Sequence, residues 1–237
     1  MLPAKGRTLR LATYNVHSCI GVDGRHDPRR TAAVIAELDA DVVALQEFSC
    51  PADVALETPS PAVLESLDGY ACAIGPTLRR EANHFGNVLL SRHPIRELAR
   101  LDLSVKRREP RGALAATIEV GGTEIHVLAT HLGLRSGERR SQIDRILRHL
   151  AALESTFLAV LGDFNDWLPG RSVARALEQV LGAPPKPKSF PGRWPLLALD
   201  RIWVRPAHAL RGVSAHQSPL ARRASDHLPV VADLEAP

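Results

Sequence analysis

Two short motifs hold most of the ionisable chemistry in this chain. Leu161-Gly162-Asp163-Phe164-Asn165-Asp166 closes one apolar run, and Ser225-Asp226-His227 lies beside another. Each places a carboxylate, an amide or an imidazole at the end of a segment patterned as a buried strand, where a side chain can leave the core and face a cleft. Five further segments have the same character: Tyr14-Asn15-Val16-His17, Leu45-Gln46-Glu47, the run from Gly86 and Asn87 to Arg92, Thr130-His131-Leu132 and Leu199-Asp200-Arg201-Ile202. Hydrolysis of a phosphate ester calls for such a set. The negative ester repels a nucleophile, so a catalyst must neutralise charge, orient or deprotonate a water and donate to the pentacovalent transition state.

Asp163 and Asn165 stand two apart, so the carboxylate can act on the attacking water while the amide donates to a phosphate oxygen. Asp166 faces elsewhere by the same alternation and is expected to serve as a turn or cap residue. Glu47 ends an apolar strand as a hard oxygen ligand for a divalent cation, the competing reading being a strand-end surface acid. Asp200 is the expected orienting carboxylate for the His227 imidazole.

Taken in order, these motifs resemble the endonuclease/exonuclease/phosphatase superfamily, which includes DNase I, abasic-site endonucleases, bacterial sphingomyelinases and inositol polyphosphate 5-phosphatases. The resemblance runs from Leu9 to Leu234 and is carried by Gly-Asp-Phe-Asn, Ser-Asp-His and the Gln-Glu that closes the second strand. It implies a four-layer α/β sandwich of two mainly antiparallel sheets flanked by helices, and hydrolysis of a phosphodiester assisted by Mg²⁺ or Mn²⁺. It implies metal-site roles for Asn15, Glu47 and Asp226, and catalytic roles for His131, Asp163, Asn165, Asp200 and His227. His131 would contact the scissile phosphate and act as an acid near the leaving group. Asn87, Arg111 and Arg193 are candidate substrate contacts, with Asn87 equally able to satisfy backbone groups. Arg139 and Gln142 are expected to fix the loop after His131. Two positions depart from the family: His17 stands where DNA-repair members carry the first strand's second ligand, an Asp, and Arg201 follows Asp200 where many relatives have His or Tyr.

Composition sets the bounds. The chain has 237 residues with 45% hydrophobic and 24% charged, the profile of a globular protein with a sizeable core, and is expected to form one domain over 1–237. Cys19, Cys50 and Cys72 are odd in number with no C-x-x-C spacing, which argues against disulfides and structural zinc; Cys19 and His26 are bystanders. No apolar run reaches the ~18 residues of a membrane span, and the first ten residues lack a signal-peptide core, so a cytoplasmic monomer is expected. The net charge of +4 mildly favours an anionic partner, a lipid headgroup or nucleic acid, beside the phosphate-ester substrate. Loops poor in aromatics disfavour a duplex nuclease, leaving a small or lipid-borne phosphodiester ahead of DNA or RNA, and both ahead of a non-catalytic binding module.

The elements that must position these residues can be followed along the chain. Strands are expected at Arg10–Val16, Val42–Leu45, Tyr70–Ile74, Gly86–Ser91, Ala113–Val120, Thr123–His131, Phe157–Leu161, Leu199–Val204, Leu210–Ala215 and Pro229–Leu234. Asp27-Pro28 opens a helix as N-cap and first helical residue, Ser136 is expected to cap another, and Arg171–Leu181 forms a third. Gly121-Gly122 is a two-residue hairpin turn. Ala183–Pro195, with five prolines, is expected to be irregular.

Overall fold

The computed structural model describes residues 8–51, 67, 69–80, 83–153, 156–167 and 172–235. In chain order the elements are β1 (Thr8–Asn15), α1 (Pro28–Leu38), β2 (Val42–Pro51), β3 (Ala71–Arg80), β4 (Asn83–Ser91), β5 (Ile95–Asp102), β6 (Gly112–Val120), β7 (Thr123–His131) and α2 (Ser136–Ala151). They continue with β8 (Leu158–Asp163), α3 (Arg175–Leu181), β9 (Asp200–Arg205), β10 (Leu210–Ala215), α4 (Ala221–Ala224) and β11 (Val230–Glu235). One sheet has the order β10-β11-β1-β2-β4-β3 and the other β5-β6-β7-β8-β9. Among the described residues no helix is long and apolar enough to cross a membrane.

Three apolar clusters make the layers. Leu11, Val42, Ala44 and Leu89 of the first sheet pack against Leu114, Val127, Leu161 and Ile202 of the second, forming the central core. Val34, Ile35 and Leu38 of α1 cover the outer face of the first sheet. Ile143, Ile146 and Leu150 of α2, with Leu177 of α3, cover the outer face of the second. Each large aliphatic side chain so buried contributes about 1.5–3 kcal/mol. The result is the expected two-sheet sandwich flanked by a few helices.

Two pairings, β1 with β2 and β7 with β8, are parallel within these otherwise antiparallel sheets. A parallel pair delivers both carboxyl ends to one edge. Asn15 therefore lies opposite Gln46, and His131 opposite Asp163. Antiparallel β9 starts at Asp200, also opposite Asp163. Antiparallel β11 begins opposite Thr13 and draws His227, just before it, to the same edge.

Local chemistry decides most boundaries. Asp27 accepts from the Arg30 amide with Pro28 at the first helical position, and Gly121 and Gly122 take the positive φ values of 61° and 87° that the tight hairpin requires. Differences from expectation are specific. Arg135, not Ser136, occupies the cap position of α2, and Ser136 is already helical. β2 continues past Leu45 to Pro51 through a bulge. β5 has no strand-like apolar alternation because it is an edge strand with its Arg96, Glu97 and Arg100 outside the core. Residue 171 lies outside the described residues, and α3 runs from Arg175.

Candidate active site

A cleft of about 690 Å³ opens at the shared sheet edge, lined among others by Glu47, Arg111, His131, Asp163, Asn165 and His227. Backbone geometry puts two of these side chains there. Glu47 sits in the β2 bulge with φ 55°, a conformation that costs a non-glycine residue about 1–3 kcal/mol and is tolerated where function demands it. Gly162 lies inside β8 rather than in a turn. A Cβ there would come within 1.9 Å of the Thr130 carbonyl, so glycine is what lets β8 lie close enough to β7 for Asp163 to face His131. The chain turns instead at Asn165, φ 49°.

Asp163, 1% exposed, is the hub. Its Oδ1 accepts from the Asn165 amide at 2.9 Å. Its Oδ2 accepts from Asn15 Nδ2 at 3.1 Å and faces Nε2 of both His131 (3.6 Å) and His227 (3.8 Å). The second hydrogen of Asn15 Nδ2 goes to Glu47 Oε1 at 3.0 Å, so one amide ties the carboxylate of one sheet to that of the other. Asn15 Oδ1 already accepts from the His17 amide. The side chain thus acts as a clamp between acids.

The two imidazoles differ because their neighbours differ. His227 Nδ1 bonds Asp200 Oδ2 at 2.8 Å, and Ser189 Oγ donates to the same oxygen at 2.6 Å. Burial by itself would lower its pKa, but Asp200, with Asp163 and Asp226 behind it, outweighs burial and pushes it up to about 10. His131 Nδ1 faces the Arg111 guanidinium at 3.2 Å. Burial, only partly opposed by Asp163 and reinforced by Arg111 and His227, takes His131 down to about 3. At neutral pH one ring is an imidazolium and the other neutral, the neutral ring set between the Arg111 guanidinium at Nδ1 and the Asn165 amide nitrogen 3.1 Å from Nε2.

Supporting contacts are equally specific. Ser225 Oγ donates to the Asn15 carbonyl at 2.8 Å and accepts from the His227 amide at 3.2 Å, linking the two motifs. Gln142 Oε1 accepts from the Gly133 amide, and Arg139 donates to the Gly133 and Leu134 carbonyls, holding the His131 loop as expected. Asp166 turns away, as expected, to accept from Ser172 Oγ and the Ala174 amide. Two expected substrate contacts are not among the lining residues: Asn87 is buried and donates to the Gly112 carbonyl, and Arg193 is exposed on the Pro-rich loop. Ser189 was not anticipated, because nothing local marks one serine in a Pro-rich segment as the partner of Asp200.

Two groups of residues could hold a cation. Asp163, Asp200 and His227 offer atoms within 4.8 Å of one another, but the His227 and Asp200 atoms are already bonded together. Glu47 Oε2 takes no hydrogen bond from a described residue, and Asp226, not among the lining residues and with its side chain 39% exposed, has Oδ1 3.8 Å from His17 Nδ1 and 3.3 Å from Ser225 Oγ. The open Glu47 oxygen suits a hard divalent ion better than does the closed His–Asp pair.

Known proteins share the family and the fold. The Escherichia coli K12 protein with the name "Uncharacterized protein YbhP" is 36% identical over 164 residues, 64% of this chain and 63% of that protein, so the chain spans under two thirds of its curated relative. The crystal structure of an endonuclease/exonuclease/phosphatase from Beutenbergia cavernae superposes with TM-score 0.75 and 26% identity over 97% of this chain and 72% of that one. A Bacteroides thetaiotaomicron mannosyl-6-phosphatase (TM-score 0.74, 17% identity, 94% and 98% covered) and D. rerio TDP2 with a single-strand DNA product (0.66, 18%, 97% and 99%) share the fold. The profile of the Endonuclease/Exonuclease/phosphatase family matches residues 12–227, and this chain belongs to that family.

Proposed function

We propose that this protein is a divalent-metal-dependent phosphodiesterase that directs a water in line at phosphorus, on a small or lipid-borne phosphodiester. The observation that carries the reading is the convergence of two buried imidazoles and the Asn15 amide on the Asp163 carboxylate inside one cleft. Asp163 accepts the water's proton or orients the water, its own geometry held by Asn165 and Asn15. His227, charged through Asp200, donates from Nε2 to the phosphoryl oxygens and offsets their growing negative charge. His131 enters as a neutral ring; one whose pKa lies near 3 carries no spare proton for a leaving group at neutral pH in the free protein. Arg111, with Nε lacking an acceptor among the described residues, supplies fixed positive charge beside His131. Glu47, with Asp226, would hold Mg²⁺ or Mn²⁺, which when bound supplies Lewis-acid stabilisation of the phosphate charge.

The test is turnover of bis-p-nitrophenyl phosphate, abolished by chelator and restored by Mg²⁺ or Mn²⁺. Turnover indifferent to chelation would remove the metal from the reading, and no turnover with any ion would favour a binding module. A panel of sphingomyelin, phosphatidyl lipids, inositol phosphates, sugar phosphates, plasmid, single-stranded DNA and RNA then ranks substrates. A small diester predicts a shallow salt dependence, since few phosphates are neutralised; a steep one with efficient plasmid nicking would move the protein to nucleic acid.

A further inference from the structure

Exposed large apolar side chains are few among the described residues: Val22, Leu134, Trp167, Val180, Trp194 and Leu196. Two of the six line the cleft, and two more sit on a loop whose base lines it. Leu134, 71% exposed, and Trp167, 52% exposed, line it directly. Trp194 and Leu196, 69% and 66% exposed, ride on a loop closed by the Phe190–Leu197 bridge, and those two residues also line the cleft. The loop is anchored. Gly192 donates to the Asp226 carbonyl at 2.6 Å, Leu228 to the Ser189 carbonyl at 2.8 Å, and the Phe190 ring leans on His227 at 4.9 Å between centroids.

Cations stand next to Leu134 and Trp194. Arg135 follows Leu134, Arg193 precedes Trp194, and Lys188 lies two residues before the loop; all three are exposed, and none pairs with a carboxylate among the described residues. Glu109, one of the cleft-lining acids, is held by Arg111 at 3.3 Å. Aliphatic and indole tips fringed by unpaired cations form the pattern of a surface that sits in the headgroup layer of an anionic bilayer. Single-stranded nucleic acid is the weaker match, because Leu134 and Leu196 give no flat face for a base to stack on.

We propose that the rim formed by Leu134, Trp167, Trp194 and Leu196, with Arg135, Lys188 and Arg193, docks the cleft onto an anionic lipid surface. This deepens the phosphodiesterase reading and rests on it only for what the cleft would cleave. The loop's attachment to the His227 segment means that the docked face and the catalytic groups move together.

Cosedimentation of the full chain with extruded vesicles, in chelator so that no turnover intervenes, tests the docking separately from the chemistry. Vesicles with about one third phosphatidylglycerol should bind at least tenfold more tightly than pure phosphatidylcholine. The double variant Trp194→Ser, Leu196→Ser should lose about tenfold or more of that binding while hydrolysing soluble bis-p-nitrophenyl phosphate at the wild-type rate. Arg135→Ala with Lys188→Ala should weaken binding and flatten its salt dependence. No binding to either vesicle, binding untouched by the double variant, or a rim that instead drives self-association or oligonucleotide binding would each overturn the proposal. If docking holds while soluble turnover fails, the hydrolase reading falls and the membrane surface stands.

Discussion

Replacing Asp200 by Asn tests the chemical logic of the site most directly, because the change is isosteric and removes one charge. In the wild-type protein the buried His227 ring lies 2.8 Å from Asp200 and is raised from 6.5 to about 10. At about 1.36 kcal/mol per pKa step, that is roughly 5 kcal/mol in favour of the charged ring, net of the burial that Asp200, Asp163 and Asp226 together outweigh. With Asp200 neutral, the burial that opposes the charge gains ground and the ring titrates at a lower pH. The sign follows from linkage: a raised folded-state pKa stabilises fully below pH 6.5 and loses that stabilisation as pH climbs through about 10. The stability gap between wild type and Asp200→Asn should therefore be widest below pH 6.5 and close toward pH 10, as urea melts across that range would report. In turnover of bis-p-nitrophenyl phosphate, Asp200→Asn should cost about 10- to 10²-fold, and His227→Ala at least about 10². In the His227→Ala background the Asn change should add less than about threefold, since the two act as a unit. Its alkaline limb should also shift to lower pH. Additive losses, or an alkaline limb that stays where the wild type has it, would refute the pairing and with it the charged state assigned to His227.

Asp163→Asn should lower the rate of the chemical step by at least about 10² with little change in melting temperature, and near-wild-type turnover would strip Asp163 of its role. Glu47→Ala should raise the metal concentration for half-maximal rate and leave the core intact, because its side chain lies in the cleft rather than among the packed layers; an unfolded variant would show a structural acid instead. Gly162→Ala should destabilise and slow the enzyme together, as the added Cβ meets the Thr130 carbonyl at 1.9 Å and pushes Asp163 from its place. Trp203→Ala, fully buried with its ring 4.6 Å from that of Phe164, should cost about 3–5 kcal/mol in denaturant melts; a loss under about 1 would mean the outer core is loosely packed.

Much of this protein is determined locally. The apolar runs ending in Asn15, His131 and Asp163 mark strands whose ends carry chemistry, whereas Glu47 lies in a bulge within β2, and the Asp27-Pro28 cap and the Gly121-Gly122 turn specify their own geometry because cap and turn contacts span only a few residues. β5 escaped because an edge strand need not bury either face in regular alternation. What tertiary structure alone decided is how the acids and imidazoles are shared out. Asn15 reaches across 148 residues to Asp163 while holding Glu47, and no spacing in the chain encodes that clamp. Ser189 becomes the partner of Asp200 only once the Pro-rich loop folds against β9. The opposite protonation of His131 and His227 is the clearest case. Both are histidines beside apolar residues in the sequence; the packing of the sheets sets one against Arg111 and the other against Asp200, and a charge about 3 Å from a buried ring outweighs anything the neighbouring residues in the chain can do.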